Sequence, residues 1–138
     1  MAKAKVTIGR SEYIALPQLG VGRVEAKLDT GAYRSALHYQ KIALRVTDDH
    51  EELVVTFAMG RKRANIVFRH FSRVIVKSST GQRTERFLIA TAVQLNGHKV
   101  RTQFTLFDRS DMKFQVLLGR KFLRGRFLVD AGKRRVLG

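Results

Sequence analysis

The chain has 138 residues, 44% of them hydrophobic, and no cysteine, which is the size and composition of a single globular domain, 1–138, and excludes a disulfide framework and thiolate chemistry. Charges interrupt every apolar run well short of the ~18 residues of a membrane helix, and the basic start, Met1 to Lys5, leads into no apolar run, so neither a membrane anchor nor a signal peptide is expected and the location reads as cytoplasmic. Twenty-seven Lys and Arg against eleven Asp and Glu give a net charge of +16; these charges are spread along the chain rather than gathered in a tail, and gather anions of several kinds: nucleic acid, acidic peptide or an anionic surface.

In chain order, Val6 to Tyr13 reads as a first strand, and Pro17, Gly20 and Gly22 mark turns. Val24, Ala26 and Leu28 alternate with the charged Glu25 and Lys27, the pattern of a half-buried strand. That strand runs into Asp29-Thr30-Gly31-Ala32, a turn signal that leaves a carboxylate at the end of a rigid element. Tyr33 to Ile42 is mixed, with Ser35, Leu37 and His38 in a short strand or turn. Leu44 to Thr47 continues as strand, residues 48–52 read as an acidic loop, and Leu53 to Met59 is a β run. Gly60-Arg61-Lys62-Arg63 is a basic, solvated loop, and 66–68 and 74–76 are further strands. Residues 78–82 form a turn with Gly81 at its tip. Arg83 to Leu95 is a long strand that Asn96-Gly97, a two-residue hairpin signal, returns through His98 to Phe107. After a polar loop, 108–113, come a short buried strand ending at Leu117-Leu118-Gly119, one helical turn at 120–124, a strand at 126–130, a turn at Ala131-Gly132 and a last strand at 135–137. Many short strands between turn signals describe an all-β barrel-like or sandwich domain.

Asp29-Thr30-Gly31-Ala32 gains weight from its context, an alternating strand before it and Leu117-Leu118-Gly119-Arg120 far downstream. With these residues the sequence resembles the retropepsin-like aspartic peptidases, whose halves share the order Asp-Thr-Gly-Ala, hairpin flap, strand pair, then apolar-apolar-Gly and a helical turn. It is most similar to a bacterial and archaeal branch labelled ATP-dependent zinc protease and associated with RimK-type ATP-grasp ligases. The stretches that carry this are Ile8-Gly9-Arg10, Ala15-Leu16-Pro17, residues 27–32, Ser35-Ala36-Leu37-His38, Ser78-Ser79-Thr80-Gly81 and Met112 to Leu123. Tyr33-Arg34 departs from the basic-then-small pair of that branch. The zinc and ATP in the label have no residues behind them. His38, His50, His70 and His98 are scattered, and neither a His-Glu-x-x-His helix nor a phosphate-cradling Gly-x-x-x-x-Gly-Lys loop occurs, so no metal and no cofactor are implied.

The resemblance implies a retropepsin-like closed barrel, one lobe per chain, with a short helical turn near the C-terminus. It implies catalysis by Asp29, with Thr30 bonding across to a facing loop and Gly31 allowing close backbone approach. Ala32 and a flap tip at Ser78, Ser79, Thr80 and Gly81 would touch the peptide. One motif supplies one of two carboxylates. Asp130-Ala131-Gly132 has the local look of a second, but six residues follow it, too few for a flap, and it reads as a β-turn. A homodimer pairing two Asp29 residues is therefore expected. Ser35 with His38 suggests a nucleophile and base, but no acidic orienter accompanies them and a structural role is the expectation. Arg34 or Arg120 could meet an acidic substrate, although Arg120 in this fold more often holds the helical turn through a salt bridge. Ligases that add glutamate point to acidic or glutamate-extended peptides. A basic β-barrel module that binds nucleic acid is the alternative from another class. It lacks tryptophan, and its phenylalanines fall at core-like spacing. A catalytically silent member of the fold is the third reading.

Overall fold

The computed structural model describes residues 5–59, 63–78 and 80–137. In chain order its strands are β1 (Val6–Gly9), β2 (Ser11–Leu16), β3 (Val21–Leu28), β4 (Ser35–His38), β5 (Lys41–Thr47), β6 (His50–Phe57), β7 (Ala64–Phe68), β8 (Ser72–Lys77), β9 (Arg83–Leu95), β10 (His98–Phe107), β11 (Val116–Leu118) and β12 (Phe127–Asp130), with one helix, α1 (Arg120–Leu123). Six strands close a ring in the order β10-β4-β11-β3-β2-β9, which returns to β10 through the β9–β10 hairpin. Closure leaves those strands no free edge. The all-β closed barrel with one short helix matches the expected fold. Among the described residues no helix is long and apolar enough to cross a membrane.

Alternation decides which faces close on the core. On β3, Ala26 and Leu28 are buried while Lys27 points to solvent. They meet Leu37, Ile89, Phe104, Val116 and Leu118 inside the barrel. The β9–β10 hairpin turns at Asn96 (φ 45°) and Gly97 (φ 80°), the two left-handed residues of a type I′ turn.

Three expectations need correction. The first strand breaks at Arg10, because β1 leaves the barrel to pair in parallel with β12 while β2 joins β3. Residues 48–52 are no loop: Asp48 and Asp49 alone turn the chain, and Thr47 pairs directly with His50. Residues 135–137 form no strand. Arg135 N–H donates to Ser11 O at 2.7 Å, and the next two residues are held by Glu12, which is fully buried and accepts the N–H groups of Gly9 at 2.8 Å, Val136 at 2.9 Å and Leu137 at 3.0 Å. A buried carboxylate stays tolerable when backbone donors surround it in this way. The expected basic loop at residues 60–63 lies for its first three residues outside the described chain.

Strands β5, β6 and β7 form a separate antiparallel sheet beside the barrel. Its inner face carries Leu53, Val55 and Phe57, all buried. On the opposite face of β6 Glu52 is also buried, between Arg45 (3.0 Å) and Arg69 (3.2 Å). The hydrogen bond from Arg45, with that from Arg69, holds its carboxyl below the usual range against the opposing effect of burial.

Candidate active site

Asp29 follows directly on β3, and the strand end that carries it is fixed from both sides. Leu28 N–H donates to Arg10 O at 2.9 Å, and Asp29 N–H donates to Leu118 O at 2.8 Å. The carboxylate is then oriented locally. Oδ1 accepts Gly31 N–H at 2.9 Å. Oδ2 lies 3.8 Å from Lys27 Nζ, and about a quarter of the side chain (26%) is exposed. A Cβ on Gly31 would come within 3.2 Å of that same Oδ1, so the glycine keeps space beside the carboxylate.

The turn is locked to the start of α1. Arg120 N–H donates to Ala32 O at 2.7 Å and Lys121 N–H to Tyr33 O at 3.0 Å. This places Gly119 flat against the carbonyls of residues 32–34: a Cβ there would meet Arg34 O at 2.7 Å and Ala32 O and Tyr33 O at 2.8 Å. Hence the two motifs, far apart in sequence, form one unit, with glycine obligatory at the contact. Arg120 Nη1 donates to Thr30 O at 3.1 Å, so Arg120 holds the aspartate loop by a hydrogen bond rather than through the expected salt bridge. Thr30 and Gly31 are exposed and Ala32 is half-buried.

Ser35 and His38 do not assemble. Three residues apart on β4, they point to opposite faces. Ser35 is buried, and its Oγ accepts Gly119 N–H at 3.1 Å. His38 Nδ1 accepts Arg109 N–H at 2.9 Å, which makes the neutral ring the Nε2–H tautomer. Asp130 opens a turn in which Gly132 N–H reaches its Oδ1 at 3.0 Å and Lys133 N–H its backbone O at 3.1 Å.

The hairpin β8–β9 reaches beyond the barrel, since β8 pairs with β9 alone. At its tip Ser78 N–H donates to Gln82 O at 2.8 Å, Ser78 Oγ lies 2.8 Å from Thr80 Oγ1, and Gly81 takes φ 88°. Ser78, Thr80 and Gly81 are exposed; Ser79 lies outside the described residues.

Two arginines, Arg109 within the field of Asp29 and Arg86 beside Arg109, have no signature in the sequence. Arg109, in the loop between β10 and β11, is only 8% exposed, and its Nε donates to Phe114 O at 2.9 Å. Burial lowers its pKa, the charge of Arg86 lowers it further, and the charge of Asp29 opposes both. Arg86, on β9, stacks its guanidinium on Phe107 at 3.9 Å. Only the fold brings Arg109 towards Asp29 and Arg86 towards Arg109, and in the sequence they look like any two of its many cations.

The matched family model covers residues 7–138 and is described as retropepsin-like aspartic endopeptidase RimB. The chain belongs to the RimB-like family. Similar proteins include two named probable alpha-L-glutamate ligase, from Shewanella halifaxensis and Shewanella pealeana. They are 34% and 33% identical over 100% of this chain, which spans 31% of each relative's length. The RimB-like chain is thus about a third as long as the curated relatives it matches. A crystal structure of a protein of unknown function from Legionella pneumophila aligns with a TM-score of 0.80 at 19% identity, covering 98% of this chain and 100% of that one; this likeness is one of fold. Family membership makes the general kind of the RimB-like chain that of retropepsin-like aspartic endopeptidases.

Proposed function

We propose that the chain hydrolyses peptide bonds as a two-fold homodimer, through a water held between two Asp29 carboxylates, one from each subunit. The observation that carries this reading is the mounting of Asp29: a part-exposed carboxylate at a strand end, oriented by Gly31 N–H and locked to Gly119–Lys121. Two such carboxylates brought together cannot both ionise, so the pair shares a proton. The ionised member takes a proton from the water as it attacks, and the protonated member donates to the carbonyl oxygen of the scissile bond. The apparent pKa values then belong to the pair.

Pairing across a two-fold axis needs a self-complementary surface beside Asp29. A cleft of about 260 Å³ beside Thr30, lined by Arg120, Leu123, Leu128 and Val129, is the part-apolar surface this reading assigns to the interface. Leu128 is 52% exposed there. In the dimer Thr30 bonds across to the facing loop. The β8–β9 hairpin closes as a flap over the peptide with Ser78 to Gly81 at its tip, and Ala32 contributes to the subsite beneath. The net charge of +16 and relatives named for glutamate ligation favour acidic or glutamate-extended peptides as substrate, in the cytoplasm. The same charge is what favours the second reading, a nucleic-acid module, whose affinity would fall steeply with salt. Against it, Phe57, Phe104 and Phe122 are buried in the core rather than offered to bases.

The test is turnover of a mixed peptide library from acid to neutral pH by wild type and by Asp29→Asn, with dimerisation followed by sedimentation. Asparagine keeps the shape and removes the shared proton. The reading expects cleavage by wild type alone, with both proteins dimeric. Equal cleavage by the variant removes Asp29 from catalysis.

A further inference from the structure

The charges around Asp29 do not balance. Lys27 Nζ stands 3.8 Å from its Oδ2. Arg109 feels the Asp29 carboxylate and, with opposite sign, the Arg86 guanidinium. Lys27 and Arg109 thus set positive charge towards a carboxylate that must itself face a like charge in the proposed dimer, and Arg86 adds a second guanidinium near Arg109.

Arg86 is the more informative of the two arginines. On β9 it pairs in register with Val74 of β8, so it stands in the hairpin that would cover the site. Its guanidinium carbon lies 3.9 Å from the centre of the Phe107 ring, two residues before Arg109. Burial lowers its pKa from the ordinary guanidinium value, yet an arginine so placed remains a cation. Among the described residues its Nε is out of reach of solvent and has no hydrogen-bond partner. A buried charged donor left unpaired is costly, and so is a second guanidinium close by; an anion at the outer N–H groups of both offsets the two like charges. The planar forks of two arginines match the two oxygens of a carboxylate. Stacking on Phe107 and the bond from Arg109 Nε to Phe114 O hold the two forks in place without using up their outer N–H groups, leaving these to a ligand.

We propose that Arg86 and Arg109 hold a carboxylate side chain of the bound peptide and so select glutamate or aspartate beside the scissile bond. The proposal rests on Asp29 marking the peptide site, and it makes the two arginines specificity residues, with no part in the bond cleavage itself.

The test separates binding from cleavage. A fluorescent glutamate-containing peptide and its isosteric glutamine counterpart are titrated by anisotropy onto the Asp29→Asn protein at physiological ionic strength. The same titrations are made with Arg86→Gln, Arg86→Lys and Lys99→Gln added. Lys99 is exposed beside the Asn96-Gly97 turn at the far end of β10 and controls for loss of one positive charge. The proposal expects the glutamate peptide to bind more tightly. Arg86→Gln should reduce that preference by about ten- to a hundredfold. Arg86→Lys, which keeps the charge and loses the fork, should retain part of it, and Lys99→Gln should leave it within about twofold. No preference, a preference that survives Arg86→Gln, an equal loss with Lys99→Gln, or no binding of either peptide overturns the carboxylate site. Wild-type cleavage of both peptides at equal kcat/KM keeps the peptidase reading and overturns this one. An Arg86-dependent preference without any cleavage does the reverse.

Discussion

Gly119 shows how a single residue can carry a site it does not touch. It sits against the carbonyls of residues 32–34 so closely that a methyl group would lie 2.7 to 2.8 Å from three backbone oxygens. None of these can move without moving the Asp29 turn. Gly119→Ala should therefore destabilise the protein by about 1–3 kcal/mol, read as a lower midpoint in urea, and lower activity further than the stability loss explains. An unchanged midpoint would show that the two loops are not in firm contact. Gly119 and Asp29 were legible in the sequence because each stands in a local pattern, an alternating strand followed by a turn and a short apolar run followed by glycine. Arg86 and Arg109 were not, since nothing local distinguishes a cation that folding will bury from one that stays in water. Ser35 and His38 were legible as no nucleophile–base pair, since β4 points them to opposite faces, whereas Asp108, whose Oδ1 lies 3.7 Å from His38 Nδ1, was not seen as a partner in the sequence.

At the scale of elements, the strands with their own turn chemistry were readable almost to the residue. The β9–β10 hairpin around Asn96-Gly97 is the clearest, its turn supplying both left-handed positions. Partner choice was not readable. The apolar residues of β6 look alike whether their strand closes a barrel or lies in a side sheet, so the β5–β6–β7 sheet came only with the structure. The expected strand at 135–137 failed for a related reason: Val136 and Leu137 meet a buried carboxylate in place of a neighbouring strand. The side sheet has its own acid-sensitive point in Glu52, whose carboxyl is held below its ordinary value of 4.5 by Arg45 and Arg69. A depressed carboxyl contributes stability that is fully present above its unfolded pKa and is lost as pH falls through its folded one. Glu52→Gln should thus melt below wild type at neutral pH, and the difference should shrink as pH falls below 4.5 and vanish in strong acid. A difference constant with pH would mean that the arginine pairing contributes nothing.

For the whole molecule, the barrel gives each subunit one aspartate loop and one hairpin, and the proposed chemistry requires two aspartates. Under that proposal one chain alone is half a catalytic centre, and the charge of +16 would be the field through which an acidic peptide approaches it. Activity should therefore depend on pairing and not only on the presence of Asp29. The most direct measurement is peptide cleavage by dimers co-assembled from equal amounts of wild type and Asp29→Asn. If each centre takes one carboxylate from each subunit, random pairing leaves about a quarter of the dimers with two aspartates, so activity per wild-type chain falls to about half. If each chain works alone, activity per wild-type chain stays unchanged on mixing, and the shared dyad is contradicted.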